Sequence, residues 1–280
     1  MKTAILTDST AYIPKEVRER LNIHMIPLSV IFGGESYQEE IEISANQYYD
    51  EIRSREDLPT TSQPSVGLFV EIFEKLAKEY EAVICIHLSS GISGTYNGAV
   101  TAGQMAEGIN VYPFDSEISC MAQGFFAIEA AEMSEEGKSP EEIMERLKEM
   151  KKSTRAYFMV DDLSHLQRGG RLSGAQAFIG GLLQVKPLLH FVDKLIVPYE
   201  KIRTRKKALN RIFELFNEDA SLKVPMKAVV IHANREDEAI QIKKEFEAKY
   251  PHVEFSISYF GPVIGTHLGE GSMGLAWYKK

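Results

Sequence analysis

Residues 88–99 read Leu-Ser-Ser-Gly-Ile-Ser-Gly-Thr-Tyr-Asn-Gly-Ala and follow an apolar run that begins at residue 82. The length and β-branched content of that run predict a strand buried on both faces, as in a parallel sheet. The small, turn-forming residues that follow cannot continue the strand, and 96–105 is typical of a helix. The sequence therefore predicts a strand, a tight Ser/Gly turn and the start of a helix.

A turn of this kind is a candidate anion site. It points backbone N–H groups and the positive end of a helix dipole outward, and Ser93 and Thr95 add hydroxyl donors beside Gly94. The alternative is that Ser93 only caps the helix. Gly94 lies one position too early for a G-x-S-x-G nucleophile elbow, and no G-x-x-x-x-G-K-[ST] phosphate loop occurs here.

The length and composition indicate a globular protein. A chain of 280 residues, 44% hydrophobic and 26% charged, is long enough for two domains with their own cores. Its longest apolar runs are strand-sized, so we expect no transmembrane helix. The first three residues lead into a predicted strand rather than a signal peptide, and we expect a soluble, cytoplasmic protein.

The charge is negative overall but unevenly distributed. A net charge of -8 argues against general nucleic-acid binding. The segment 201–211 is nevertheless basic, and it holds Lys201, Arg203, Arg205, Lys206, Lys207 and Arg211. Such a run is usually a solvated helix face, and the alternative is a surface that docks an acidic partner.

The two cysteines carry no metal or disulfide signature. Cys85 and Cys120 lie in apolar surroundings, without a C-x-x-C motif and without a histidine at ligand spacing. We therefore expect buried free thiols, no metal site and no cofactor.

Strands and helices alternate through the first half of the chain. The predicted strands are 4–6, 23–32, 82–88 and 110–114, and the predicted helices are 15–21, 44–52, 66–79, 96–105, 120–133 and 140–151. Ser44 with Gln47 predicts a capping box, and Ser65 and Ser139 are predicted to cap the helices that follow them. Segment 58–67 has two prolines, which predict an ordered polar loop without regular structure. This alternation favours a mostly parallel sheet with helices on both faces, and such sheets bind ligands beyond the carboxyl ends of their strands.

The second half reads as a mixture of strands and helices. The predicted strands are 157–160, 226–232 and 253–259, a hairpin covers 191–199, and the predicted helices are 204–216 and 237–250. The apolar stretch 175–189 is either core or the wall of an apolar slot. Segment 261–277 is predicted to be a glycine-rich turn before a short last strand, and it holds His267. A lone histidine is more often structural, but the glycines around His267 offer it no side-chain partner.

These patterns predict the α/β class with two α/β domains. The first domain, 1–154, would carry a mostly parallel sheet and the Ser/Gly turn. The second, 155–280, would be smaller, with a mixed sheet and the glycine-rich His turn. The boundary is expected between residues 151 and 155.

Seven short motifs, taken in order along the chain, resemble those of the DegV family of bacterial fatty-acid-binding proteins. They occupy 7–10, 61–65, 89–96, 169–171, 186–187, 200–204 and 265–267, and so cover almost the whole chain. The resemblance implies a carrier that holds one long-chain fatty acid, such as palmitate, in a lipid site between its two domains. In fatty acid kinase systems such a carrier presents the carboxylate to a separate kinase that makes acyl phosphate.

The resemblance also implies roles for individual residues. Thr61 and Ser93 would bind the carboxylate, with His267 close by, and the Ser/Gly turn adds Gly94 and Thr95 to that site. The acyl chain would supply most of the affinity, because each buried methylene contributes about 0.8 kcal/mol. Hydrogen bonds to the carboxylate, about 1.5–3 kcal/mol each, would fix its orientation.

Two arginines are candidates for docking a kinase. Arg168 and Arg171 bracket Gly169-Gly170, and together with the basic run 201–211 they would form a positive surface in an acidic chain. The alternative is that Arg171 pairs with a carboxylate and braces the Gly169-Gly170 turn.

Two other classes of protein remain as alternatives. A serine hydrolase would use Ser93 as nucleophile, His267 as base and Asp8 or Asp115 to orient the base, although the spacing around Ser93 is not that of an elbow. A phosphate or nucleotide binder would use the same helix start, yet no lysine lies in that turn.

Overall fold

A computed structural model describes residues 2–55, 57–173 and 186–280. The described strands are β1 (Thr3–Asp8), β2 (Ile23–Ile26), β3 (Ser29–Phe32), β4 (Glu35–Gln38), β5 (Thr60–Ser62), β6 (Ala82–His87), β7 (Asn110–Asp115), β8 (Arg155–Met159), β9 (Leu188–Val192), β10 (Leu195–Glu200), β11 (Met226–His232), β12 (Val253–Tyr259) and β13 (Met273–Lys279). The described helices are α1 (Lys15–Arg20), α2 (Ala45–Arg53), α3 (Val66–Leu76), α4 (Thr95–Gly103), α5 (Cys120–Glu135), α6 (Pro140–Ser153), α7 (Ser164–Arg168), α8 (Arg205–Ala220), α9 (Glu236–Lys249) and α10 (Pro262–Leu268).

The first half contains the predicted parallel sheet. Its strand order is β2-β1-β6-β7, and every pair in it is parallel. The central strands β1 and β6 are buried along their whole length, which is why their sequences are nearly continuous apolar runs. The carboxyl ends of β1, β6 and β7 bring Asp8, His87 and Asp115 to one edge of the sheet.

The second half is built on a mixed sheet of six strands in the order β10-β9-β8-β13-β11-β12. Only the β11–β12 pair is parallel. The fold class is therefore the predicted one, a parallel sheet followed by a mixed sheet. The last strand was expected to be short, but β13 has seven residues and lies between β8 and β11 in the middle of the sheet.

Two predictions in the first half are wrong, and both concern a small antiparallel sheet in the order β4-β3-β5. Segment 23–32 was expected to be one strand, but Pro27 separates it into β2 of the parallel sheet and β3 of the small sheet. The loop 58–67 was expected to have no regular structure, yet Thr60–Ser62 pair with β3. A three-residue strand at a sheet edge tolerates prolines on either side, since their missing N–H groups are not needed.

The glycine-rich turn predicted for 261–277 is also wrong, because Pro262–Leu268 form the helix α10. Pro262 is suited to the first turn of a helix. The next two N–H groups are satisfied from the other half of the chain, since Val263 N donates to Glu39 and Ile264 N donates to the Tyr12 hydroxyl. His267 therefore lies on a helix whose supporting partners are more than 220 residues away.

Several local predictions are confirmed. Ser44 and Ser139 form capping boxes at the starts of α2 and α6, and Ser65 caps α3. The predicted hairpin is β9–β10, which turns at Asp193 and Lys194. Both cysteines are buried free thiols. Most of the predicted apolar stretch 175–189 lies outside the described residues.

The two sheets are joined through α5. This helix packs against β1 and β6 on one side and against β11, β12 and β13 on the other. One continuous hydrophobic core accordingly contains Ile5 from the first sheet, Phe126 from α5, and Leu189 and Tyr278 from the second sheet. The domain boundary at 154/155 stays a prediction, although it coincides with the short link between α6 and β8.

A fully buried carboxyl group fixes α10 to the first half. Glu39 is 0% exposed and accepts hydrogen bonds from Ser9 Oγ (2.6 Å), Tyr12 Oη (3.1 Å) and Val263 N (2.9 Å). Burial raises the pKa of Glu39 to about 8, since these donors offset only part of the desolvation of the charged form.

We expect the contribution of Glu39 to the stability of the protein to fall between pH 6 and pH 8. In the unfolded chain the carboxyl has its ordinary pKa of 4.5, so in this range the native state holds a proton that the unfolded state has released. The contribution of Glu39 to the free energy of unfolding then decreases as pH rises, with a limit of about 1.4 kcal/mol per pH unit. Glu39→Gln removes this slope, as urea unfolding at the two pH values will show. Glu74→Gln, an exposed control on α3, keeps it; equal slopes for all three proteins would contradict the assignment.

Candidate functional site

A cavity of about 310 Å³ lies between the first half and the mixed sheet. Binding pockets for small molecules have volumes of roughly 300–1,000 Å³. The apolar part of its wall, among the described residues, consists of Leu28, Leu88, Ile92, Cys120, Ala122, Ala156, Phe158, Phe191, Ile196, Ile231, Phe260, Val263, Ile264, Leu268, Gly274, Leu275 and Ala276. The small side chains among them leave the space that larger ones would fill.

Thr61, Ser93, His267 and Arg171 also line this cavity. Thr61 comes from the edge strand β5 and His267 from α10, and Thr61 Oγ1 lies 2.9 Å from His267 Nε2. The structure thus joins two predicted site residues that are 206 positions apart in the chain. Ser62 and Gln63 of the same segment add further polar groups to the wall.

His267 is held in its neutral form. Burial, together with charge repulsion from the nearby Arg171 and His165, lowers its pKa to about 4. Its Nδ1 atom is buried and has no hydrogen-bond partner among the described residues. When Nε2 carries the ring proton, His267 donates to Thr61 and leaves the Thr61 hydroxyl proton available to another acceptor.

The Ser93 side chain lies at the end of the loop between β6 and α4. Ser93 Oγ accepts from Thr95 N (3.3 Å) and lies 2.9 Å from Thr95 Oγ1, so it does have a local role at the helix start. Gly94, not Ser93, is the N-cap residue of α4. The Ser93 hydroxyl therefore both supports the helix start and faces the cavity.

The predicted anion site is only partly assembled. Thr95 is fully buried and Gly94 packs against Gln63, and neither of them lines the cavity. The N–H groups of Ile92 and Ser93 already donate to the Ser89 carbonyl. Of the five predicted carboxylate ligands, the structure brings Thr61, Ser93 and His267 to one cavity, whereas the backbone of the turn is largely occupied.

The two predicted docking arginines differ in their surroundings. Arg171 is half-buried and lines the cavity, where Nε donates to the Ile92 carbonyl (3.2 Å) and a second nitrogen donates to the Gly169 carbonyl. It therefore braces the Gly169-Gly170 turn, through carbonyls rather than a carboxylate. Arg168 is exposed and bonds to Ser164 on its own helix. No sequence pattern indicated that Arg171 would face the cavity.

The basic run 201–211 is partly neutralised by acidic neighbours. Arg205 pairs with Asp161 (3.2 Å) and Glu238 (2.7 Å). Arg211 pairs with Glu200 (3.0 Å) and Glu214 (3.1 Å). These two arginines therefore contribute less net positive charge to this surface than the sequence suggests.

The triad required by the hydrolase alternative does not form among the described residues. His267 Nε2 contacts Thr61, and the Ser93 hydroxyl contacts Thr95. Asp8 instead lies 3.0 Å from His87 Nδ1.

Asp115, the other proposed orienting residue, accepts from Ser90 Oγ (2.5 Å). Each hydrolase candidate therefore has a different partner from the one that the mechanism needs. The described part of the chain also contains no cluster of three His, Cys, Asp or Glu side chains that could hold a metal ion. Within the same residues, every helix is too short or too polar to cross a membrane.

This fold and site define an α/β protein with an internal apolar cavity that has polar groups on part of its wall. The chain belongs to the DegV family, whose sequence profile, described as that of an uncharacterised protein family, matches residues 2–280. Protein DegV of Bacillus subtilis is 64% identical over the full length of both chains.

Solved structures show the same relationship. The crystal structure of DegV, a fatty acid binding protein from Bacillus subtilis, is 64% identical, covers 100% of both chains and has a TM-score of 0.96. A DegV family protein from Thermus thermophilus, whose structure concerns fatty acid binding, is 31% identical, again with 100% of both chains covered and a TM-score of 0.93. A stearic acid-binding protein from Eubacterium ventriosum is 27% identical, covers 99% of this chain and 98% of its own, and has a TM-score of 0.89.

Proposed function

We propose that this protein binds one long-chain fatty acid, with the acyl chain in the cavity and the carboxylate at Thr61 and Ser93. The observation that carries the proposal is an apolar cavity whose wall holds two hydroxyls, a neutral histidine and an arginine. The relatives that bind fatty acids share the fold over the whole chain, which supports the same ligand class here.

The apolar and polar parts of the cavity wall match the two parts of such a ligand. Burial of roughly fourteen methylenes contributes on the order of 11 kcal/mol before the entropic cost of association. The polar groups would then determine which end of the ligand lies beside Thr61 and Ser93. Arg171 adds a positive charge close to this position, and a carboxylate there would be stabilised by it.

Neutral His267 has a positioning role in this proposal. A protonated imidazole could donate from both ring nitrogens, whereas the neutral ring donates from only one. With that proton directed to Thr61 Oγ1, the Thr61 hydroxyl is oriented to donate to the ligand. The low pKa of His267 keeps this arrangement unchanged throughout the neutral pH range.

A carrier requires no chemistry of its own, and we propose that this protein presents the carboxylate to a separate fatty acid kinase in the cytoplasm. Arg168 is the more suitable docking residue of the predicted pair, since it is exposed while Arg171 is engaged with carbonyls in the cavity wall. The site lies between the two halves, which also supports their description as two domains, 1–154 and 155–280.

Ser93→Ala is expected to weaken palmitate binding about tenfold or more, because one hydrogen bond to a charged group is lost. Binding of methyl palmitate should weaken less, since the ester has no charge at this end. The two affinities are measured by displacement of a fluorescent fatty acid. Thr101→Ala on the exposed side of α4 is the control and should change neither affinity. Equal losses for the acid and the ester would contradict the position assigned to the carboxylate.

Arg168→Glu is expected to slow acyl phosphate formation by a fatty acid kinase while palmitate affinity stays unchanged. An exposed charge acts mainly on the association rate, so the difference should shrink as salt is added. Lys78→Glu, exposed beyond the end of α3, changes the net charge equally and serves as the control. Identical rates for Arg168→Glu and the unmodified protein at low salt would show that Arg168 does not dock the kinase.

A further inference from the structure

The tip of the β9–β10 hairpin touches the loop that carries Ser93. We name Asp193 and Lys194 the hairpin tip, and residues 88–94 the head-group loop. Ser89 Oγ in this loop donates to the Lys194 carbonyl at 2.7 Å. The hairpin belongs to the second half of the chain and the loop to the first, so this hydrogen bond crosses the cavity-bearing interface.

The contact is close enough to require a glycine. A Cβ atom at Gly91 would collide with the Lys194 carbonyl oxygen and lie 2.8 Å from its carbonyl carbon. These are backbone atoms of a tight turn, in which Asp193 and Lys194 both have positive φ (47° and 73°). Such a two-residue turn has little freedom to move away, because its geometry is set by the twist of the two strands.

Asp115 holds the loop and the tip together from the edge of the parallel sheet. Its carboxylate accepts from Ser90 N (3.1 Å) and Ser90 Oγ (2.5 Å), and Lys194 Nζ lies 3.0 Å from its Oδ2. Only 8% of the Asp115 side chain is exposed, so the ion pair is shielded on one side. The loop is thus anchored through both Ser89 and Ser90.

Short-range hydrogen bonds link the position of Ser93 to that of Ser89. Ile92 N and Ser93 N both donate to the Ser89 carbonyl at 3.1 Å, which makes residues 89–93 one compact turn. Arg171, also from the second half, donates to the Ile92 carbonyl on the cavity side. The second half therefore holds this turn at two places.

We propose that the hairpin tip is a positioning element that places the Ser93 hydroxyl for the carboxylate of the ligand. This inference rests on the proposed function for the identity of the ligand. Asp193 and Lys194 do not line the cavity among the described residues, so they act through the head-group loop. A carboxylate that bonds to Ser93 then favours the arrangement in which tip and loop are in contact, and by linkage the bound acid stabilises the tip.

The test uses Gly91→Ala, with Gly67→Ala as the control. A Cβ at Gly67 meets only Ser65 Oγ, at an ordinary 3.9 Å. Gly91→Ala is expected to weaken palmitate binding roughly 3- to 10-fold, as for the loss of one hydrogen bond, and methyl palmitate binding less. Ser89→Ala removes only a hydroxyl, and it should produce the same selective loss if Gly91→Ala fails to fold.

Amide hydrogen exchange supplies a second readout, and in the delipidated protein this readout does not depend on the ligand class. In delipidated protein, exchange across 89–94 should be faster in Gly91→Ala and Ser89→Ala than in the unmodified protein and in Gly67→Ala. Palmitate should slow exchange at 192–195 in the unmodified protein. Unchanged exchange in the two variants, or equal losses of affinity for the acid and the ester, would overturn the positioning role of the hairpin tip and leave the proposed function standing. If the unmodified protein does not bind palmitate, the proposed function fails together with it.

Discussion

A carboxyl group removed from water is costly unless hydrogen-bond partners surround it, and two buried carboxyl groups organise this structure. Asp8 is 1% exposed and accepts from Thr10 N (3.1 Å), Leu88 N (2.9 Å) and Gln123 Nε2 (3.0 Å). Glu39 is 0% exposed and accepts from Val263 N at the start of α10 (2.9 Å). Asp8 therefore fixes the beginning of the loop that leads to Ser93, and Glu39 fixes the helix that carries His267. The need to satisfy these two buried groups places two of the elements that bring polar side chains to the cavity.

The same arrangement explains why the site needs both halves of the chain. The first half supplies Thr61 and Ser93, and the second supplies His267 and Arg171. Between them, α5 packs on both sheets and closes a common core. In the proposed function this separates two physical tasks, since the apolar walls would supply affinity for a long chain and a few polar groups would supply orientation.

Those parts of the fold that depend on local patterns could be predicted from the sequence. The strand at 82–88, the caps at Ser44, Ser65 and Ser139, and the hairpin turn at Asp193 follow from periodicity and from capping and turn preferences. By contrast, β5 and α10 depend on partners far along the chain, β3 for one and Glu39 for the other. The apolar wall was unpredictable for the same reason, because its side chains come from elements throughout the chain and no single segment shows them as a set. Ser93 followed from the Ser/Gly turn and His267 from its glycine-rich surroundings, and the family motifs added Thr61. Only the structure shows Arg171 in the cavity wall.

The most direct test of this account is a crystal structure of the protein with palmitate. The account predicts a carboxylate within hydrogen-bond distance, roughly 2.5–3.0 Å, of Thr61 Oγ1 and Ser93 Oγ. It also predicts that the acyl chain follows the cavity past Ala122 and Ala276. A palmitate whose carboxylate lies away from both hydroxyls, or whose chain lies outside this cavity, would contradict it.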